Sequence, residues 1–456
     1  MAKTKTRTLQ LGTEPVGRLL WKYSMPAIIA MTASSLYNLV DSVFIGHGVG
    51  SMALSALTVA KPFMDICAAF GSLVGVGAST LVAISLGEKD YEKAQRVLGN
   101  VIVLNIALSA LVTFVGLMWL NPILRAFGAS DDTLMLAREY MIPILIGNVL
   151  THIYFGLNNV LRSSGHPISS MVATIVAVSA NIILDPIFIF YLDMGVRGAA
   201  IATMISQAIA VAWQFTIFLN PRELLHFNRK MWHLDMNIVV ESLLIGLSPF
   251  LMNLAHSLVV VIMNNQLLSY GGDMALASYG IINRFTFVFA MIVMGLNQGM
   301  QPIVGYNYGA KKYHRMLSAF RLTALWATAV TSLVCVLGEL VPDIMVSMFT
   351  HDNELTQMTI PAMRIVLCVF FCTGFQMVTG NFFTSIGMAG KAIFLSLSRQ
   401  VILLIPLAFI MPLFFQLNGV WLAMPMSDIL SALIAACMLQ QFISKTKRHI
   451  QMTDIE

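Results

Sequence analysis

Four oxygen-bearing side chains stand inside long apolar stretches of the chain: Asp41, Asn181, Asp185 and Thr203. Asn181 and Asp185 are four apart, one helical turn, so they share a helix face. Two carboxylates, an amide and a hydroxyl form an all-oxygen donor set. Such a set suits a hard cation, or two acids that share one proton. The competing reading is a scatter of polar residues that end helices and face loops.

Other ionisable residues lie in similar surroundings. Lys61 has Asp65 at i+4, which reads as a self-neutralising pair. Arg284 has no acid within a turn, and Asp428 is its candidate partner across the same half, in a structural or a coupling role. His152 and His256 are isolated from each other, and no HExxH occurs. A nucleophile–base set or a metal cluster at one depth is what an intramembrane enzyme needs. No residue is therefore assigned a catalytic role, and no cofactor is expected. The 5 cysteines all fall in apolar segments, without the spacing of a disulfide framework or zinc site.

The elements that position these residues follow from composition. The chain is 57% hydrophobic and 11% charged, with mean hydropathy +0.79. A soluble domain carries about 25% charged residues, so the lipid bilayer is the main solvent. Twelve apolar runs are long enough to cross it. They cover 19–46, 53–86, 95–120, 138–161, 167–191 and 196–219, then 239–270, 274–308, 316–341, 358–382, 392–415 and 419–443. Of the 27 Lys and Arg residues, all but Lys61, Arg125, Arg138, Arg197, Arg284 and Arg364 fall on one side of this layout. Both termini are thus expected in the cytoplasm of a multi-pass plasma (bacterial inner) membrane protein. The polar first 18 residues read as a tail without a cleavable signal. A net charge of +5 reflects that basic face and does not call for nucleic acid.

The chain also repeats itself. Gly87-Glu-Lys89-Asp-Tyr91 returns as Gly309-Ala-Lys311-Lys-Tyr313, and Ser163-Ser-Gly165 as Ser385-Ile-Gly387, both 222 residues on. Pro26 and Pro249 are 223 apart, and Gly198 and Gly419 are 221 apart. The expected fold is an all-α membrane protein of two six-helix bundles, related by a pseudo-two-fold axis along the membrane normal. The expected lobes are 1–219 and 239–456, with 220–238 as a cytoplasmic linker. In this register Asp41 meets Asn264 and Asp185 meets Ile405, while Lys61 meets Arg284 and Gln207 meets Asp428. The second half keeps the scaffold without the two acids, so folding alone does not require them. Asp41, Asn181, Asp185 and Thr203 all fall toward the outer ends of their spans, at a depth that allows one shared pocket.

The chain resembles the multidrug and toxic compound extrusion (MATE) family. The resemblance rests on Pro26, Asn38-Leu-Val-Asp41-Ser-Val-Phe-Ile-Gly46, Gly75-Val-Gly77-Ala-Ser-Thr, Leu86-Gly87, Asn181-Ile-Ile-Leu-Asp185-Pro186 and Gly198-Ala-Ala-Ile-Ala-Thr203. Asn264-Asn265 and Ile281-Ile-Asn283-Arg284 make it most similar to the bacterial DinF-like and MepA-like branch. The resemblance implies a V of two bundles that exports organic cations by antiport with H⁺ or Na⁺. It carries cation binding, including Na⁺, onto Asp41, Asn181, Asp185 and Thr203, with Tyr37, Tyr140 and Asn158 as neighbours. Some relatives also have acids in helices 7 and 10, where this chain offers His256 and Gln376. A monomer is expected. The alternative within the wider superfamily is a lipid-linked oligosaccharide flippase, whose cavity carries many more cationic side chains than Lys61, Arg284 and Arg364 supply.

Overall fold

The computed structural model describes residues 9–350 and 352–453, and among these it contains helices and turns and no strand. Helices of the first half are α1 (Val16–Gly48), α2 (Ser51–Gly87), α3 (Tyr91–Met118), the short α4 (Leu120–Ala126), α5 (Asp131–Ile146), α6 (Asn148–Ser163), α7 (Pro167–Pro186) and α8 (Gly195–Phe218). A π turn, Ile187–Tyr191, extends α7. The second half has α9 (Met236–Gly309), α10 (Tyr313–Leu340), α11 (Pro342–Ser347), α12 (Asn353–Leu367), α13 (Phe371–Ser385), α14 (Ala389–Leu397), a π turn Ser398–Leu404, and α15 (Ile405–Thr453).

The span count follows from length and from the turns that break the long helices. Among the described residues, eight helices are long and apolar enough to cross a bilayer, and the bent pairs α5–α6 and α12–α13 bring the number to ten. Helix α9 runs for 74 residues, about 110 Å at 1.5 Å per residue, far more than one bilayer core. Gly272 breaks it with φ +65°, and Gln416 breaks α15 with φ +49°. Each is a turn between two spans, which gives twelve. These left-handed residues repeat between the halves. Gly50 matches Gly272, Lys89 matches Lys311, Gly165 matches Gly387 and Gly195 matches Gln416, all with positive φ. Turn geometry is thus duplicated with the sequence.

The expected spans and observed helices agree closely, with two differences. Spans four and ten are each two helices, bent by 53° beside Gly147 and by 49° across 368–370. Each bent pair is apolar enough as a whole to read as one span, so hydropathy does not divide them. The first helix of the second half begins at Met236, inside the expected linker. Asp235 caps it by accepting from Asn237 N, which extends the helix toward the chain's polar segment. The rest of that segment is docked: Leu225 and Met231 are buried, and Phe227 stacks on Phe218 with ring centroids 5.6 Å apart.

Three apolar cores define the shape. One draws residues from both halves, including Leu19, Leu81, Leu98, Phe218, Met300 and Phe382. It sits at the end of the molecule where α1 begins and α15 finishes. The other two belong to one half each: Ile45, Ala60, Leu145 and Ala200 in the first, Met263, Ile282, Val346 and Trp421 in the second. The halves are therefore joined at the end where α1 begins and α15 finishes and separate at the far end. At the joined end the packing is reciprocal. A Cβ on Gly87 would lie 2.1 Å from the carbonyl oxygen of Tyr306, and one on Gly309 would lie 2.1 Å from that of Ile84. Ile84 and Tyr306 are themselves equivalent positions, so the contact is two-fold symmetric. Only glycine allows backbones this close.

Candidate functional site

The far end of the first half holds the polar site, beside the core built on Ile45 and Ala200. Helix α1 supplies Tyr37 and Asp41, α7 supplies Asn181 and Asp185, and α8 supplies Thr203. The turn spacing of α7 aims Asn181 and Asp185 at the same neighbour, and Asn181 Nδ2 donates to Asp185 Oδ1 at 3.1 Å. The same amide lies 3.3 Å from Thr203 Oγ1. Thr203 donates to the Ala199 carbonyl at 3.0 Å and lies 3.3 Å from the Tyr37 hydroxyl. Pro186, which lacks an N–H, follows Asp185 and leads into the π turn. The relaxed geometry sits directly against the acid.

Asp41 and Asp185 are 6% and 0% exposed, and their carboxyl groups come within hydrogen-bonding reach of each other. Three buried oxygens at this point have no hydrogen-bond partner among the described residues: Asp41 Oδ1, Asn181 Oδ1 and Asp185 Oδ2. Buried polar atoms in folded proteins are overwhelmingly satisfied. Three unsatisfied acceptors, two of them from adjacent carboxyls, form a cradle for a proton or a bare cation. Tyr140, buried on α5, lies within electrostatic reach of Asp41, Tyr37 and Asp185.

Not every expected neighbour joins this cluster. Asn158 is tied instead to Thr174 Oγ1 at 3.2 Å and accepts from Ser170 Oγ at 2.5 Å. Thr174 is two turns of α7 from Asn181, so this second polar group lies about 10 Å nearer the joined end. Lys61 and Asp65 form the expected i,i+4 pair at 2.5 Å, with both side chains more than half exposed. Such a pair contributes little to stability.

Asp428 takes a different partner from the expected Arg284. Arg399 Nε donates to Asp428 Oδ1 at 2.6 Å, and Thr373 donates to Oδ2 at 3.0 Å. Arg284 is exposed and forms no ion pair among the described residues. The physical reason is reach: Arg399, in the π turn after α14, lies directly beside Asp428, whereas the sequence reading counts it only among the Lys and Arg residues of the basic side. The repeat carries the signal. Thr151 donates to Gln207 Oε1 at 2.5 Å in the first half, and Thr373 with Asp428 is the same contact 222 and 221 residues on. Replacing a neutral acceptor by a buried carboxylate demands a cation beside it.

Two joined six-helix bundles with a polar site buried in one of them define a membrane transporter built from repeats. Similarity to known proteins identifies which kind. The MatE family model matches twice, over residues 26–187 and 249–410, at an offset of 223. The chain belongs to the MatE family. It is 30% identical over 422 residues to a "Multidrug export protein MepA" of Staphylococcus aureus, covering 92% of this chain and 93% of that protein. A protein of the same name from Staphylococcus haemolyticus is 29% identical over 419 residues, at 92% of each chain. Among solved structures, a MATE in the bent conformation is similar with TM-score 0.91 at 25% identity, covering 97% of this chain and 98% of that one. The MATE multidrug transporter DinF-BH is similar with TM-score 0.86 at 38% identity, covering 94% and 96%.

Proposed function

We propose that this MATE transporter exports amphipathic organic cations, driven by inward movement of H⁺ or Na⁺ through the site at Asp41, Asn181, Asp185 and Thr203. The observation that carries this reading is the trio of unsatisfied buried oxygens on Asp41, Asn181 and Asp185. Two desolvated carboxylates in contact repel unless a proton or a cation lies between them. Either ion therefore binds with a large differential free energy, which is what coupling to a conformational change requires. The similarity to multidrug export proteins supports a drug-like substrate.

The chain works as lobes 1–219 and 239–456 around the linker 220–238, as a monomer, with both termini in the cytoplasm of the bacterial inner membrane. In that orientation the separated end faces outward, toward the side from which the driving ion enters. The test is dye efflux from proteoliposomes under a proton gradient alone and a Na⁺ gradient alone. One of the two gradients should drive transport. Export that ignores both would contradict antiport.

A further inference from the structure

The segments that lead into the first span of each half are both fastened to the opposite half. Leu11 stands five residues before α1 and Met231 five residues before α9, and they are 0% and 1% exposed. Each is a buried apolar side chain in a stretch of chain outside the spans. Both segments are held at the opening turns of the other half's third span, α10 in one case and α3 in the other.

In the first segment, side chains of the second half take hold of backbone carbonyls. Asn307 Nδ2 donates to the Leu11 carbonyl at 3.0 Å, and Lys312 Nζ donates to that of Gly12 at 2.9 Å. Arg315 Nη2 donates to the Glu14 carbonyl at 2.5 Å and to that of Leu11 at 3.4 Å, while its Nε donates to Asn307 Oδ1 at 3.3 Å. Gly12 packs against the Tyr306 ring, where a Cβ would come within 2.8 Å of Cε1. The second segment docks on the first half in the same manner. Gln95 pairs with both backbone groups of His226, donating to the carbonyl and accepting from the N–H at 3.2 Å. Asn100 Oδ1 accepts from Asp235 N at 3.1 Å, and Arg96 lies 3.9 Å from Asp235 Oδ2. A Cβ on Gly99 would lie 1.9 Å from the Met231 carbonyl oxygen.

The two segments differ in one respect. Residues 220–235 are covalently continuous with both halves and cross the junction in every state. Residues 9–15 continue into α1 of the first half, and their hold on the second half consists of hydrogen bonds and one apolar side chain. That hold can break without breaking the chain. Once it opens, water replaces the donors on the freed carbonyls, so each hydrogen bond biases the closed state by a modest net amount. We propose that residues 9–15 form a latch that keeps the joined end closed and leaves the second half each time that end opens. Asn307, Lys312 and Arg315 are its catch. This rests on the alternating opening of the two ends that the export reading above requires, and it adds the element that sets how readily the inner end parts.

The experiment has two arms, both on the full-length chain in a background lacking native cysteines. The first uses Thr80→Cys as a reporter in nanodiscs, because Thr80 is buried where Gln301 reaches across from the second half at 2.9 Å. Maleimide labelling should be about tenfold faster in Arg315→Ala, as loss of charge-assisted hydrogen bonds implies, and Arg315→Lys should fall between. The second arm joins Thr13→Cys to Lys312→Cys, both at exposed positions, with a short reducible bis-thiosulfonate. Efflux of a cationic dye from proteoliposomes should fall by about tenfold or more on cross-linking and return on reduction. A segment that only packs on the second half, without leaving it, predicts full export by the cross-linked chain. Export at the unlinked rate, or unchanged labelling in Arg315→Ala, overturns the latch. Labelling needs no export, so the first arm decides the latch even if the unlinked chain exports no dye under either gradient, a result that would sink the export reading alone.

Discussion

Asp41 and Asp185 are the residues on which the account turns, because each alone is an expensive group to bury and together they are tolerated only with an ion. Around them Thr203 has a smaller, graded role. Its hydroxyl accepts from Asn181 and contacts Tyr37, so it fixes the orientation of the amide in the cradle. Thr203→Ala should raise the concentration of driving ion needed for half-maximal efflux by about fivefold, as loss of one hydrogen bond implies, with the folded protein recovered at normal yield. An unchanged ion dependence would remove Thr203 from the site. At this scale the sequence is informative where a residue contradicts its surroundings. An acid in an apolar run stands out, and the loss of both acids in the second half marks them as dispensable to the scaffold. Arg399 does not stand out, since it lies only ten residues or so after the loop glycines at 387 and 390. Its partner is 29 residues away in sequence, and the acid is expected opposite Arg284 only because that arginine has no acid within a turn. Resemblance draws Asn158 toward the acids, whereas its own helix face sends it to Ser170 and Thr174.

Elements transmit what the residues do. The end shared by both halves is built from close backbone contacts, with Gly87 on Tyr306 and Gly309 on Ile84. Gly77 and Gly299, a second equivalent pair, pack against Ser242 of the second half and Ser24 of the first. Each half thus offers a small-residue face of its second span to the first span of the other. Gly309→Leu inserts four carbons where none fit, and overpacking of this kind costs about 1–3 kcal/mol. The variant should melt at lower temperature in detergent. In a background lacking native cysteines, Thr80→Cys, buried at the same junction, should also label faster with maleimide. Labelling that stays as slow as in the parent would show that these glycines do not hold the junction. Span positions are legible here from hydropathy, and the turns from Gly and Pro punctuation. The bends in spans four and ten are not, because each bent pair is apolar enough as a whole to read as one continuous span. A bend within an apolar stretch leaves no trace in a pattern read by hydropathy.

For the molecule as a whole, three cores in place of one make alternating access physically accessible. Only the shared core at the joined end must part, while the single-half cores at the far end remain packed. One further tie crosses that junction: Arg162 of α6 donates to Gln298 of α9, and Gln298 in turn reaches Met31 of α1. Arg162 is buried and forms no salt bridge among the described residues, so its charge is balanced by amide oxygens alone. Arg162→Ala should favour opening of the joined end, seen as faster labelling at the same Thr80→Cys reporter; slower labelling would mean that the arginine strains the junction. The pseudo-symmetry is readable from sequence because an offset of 221 to 223 persists through nearly the whole chain. Which end is closed is not readable, since the sequence of an alternating machine encodes both of its states.

The claim that ties these scales together is that an ion on Asp41 and Asp185 biases the conformation and so drives export. Asp41→Asn tests it most directly. The substitution keeps size and hydrogen bonding, removes one charge, and reproduces the residue that the second half already carries at Asn264. Efflux from proteoliposomes should be measured for Asp41→Asn and Asn264→Ala at matched protein content, under H⁺ and Na⁺ gradients imposed separately. The account predicts that Asp41→Asn folds and inserts but fails to export under either gradient, while Asn264→Ala retains most of its transport. Normal gradient-driven export by Asp41→Asn would contradict it.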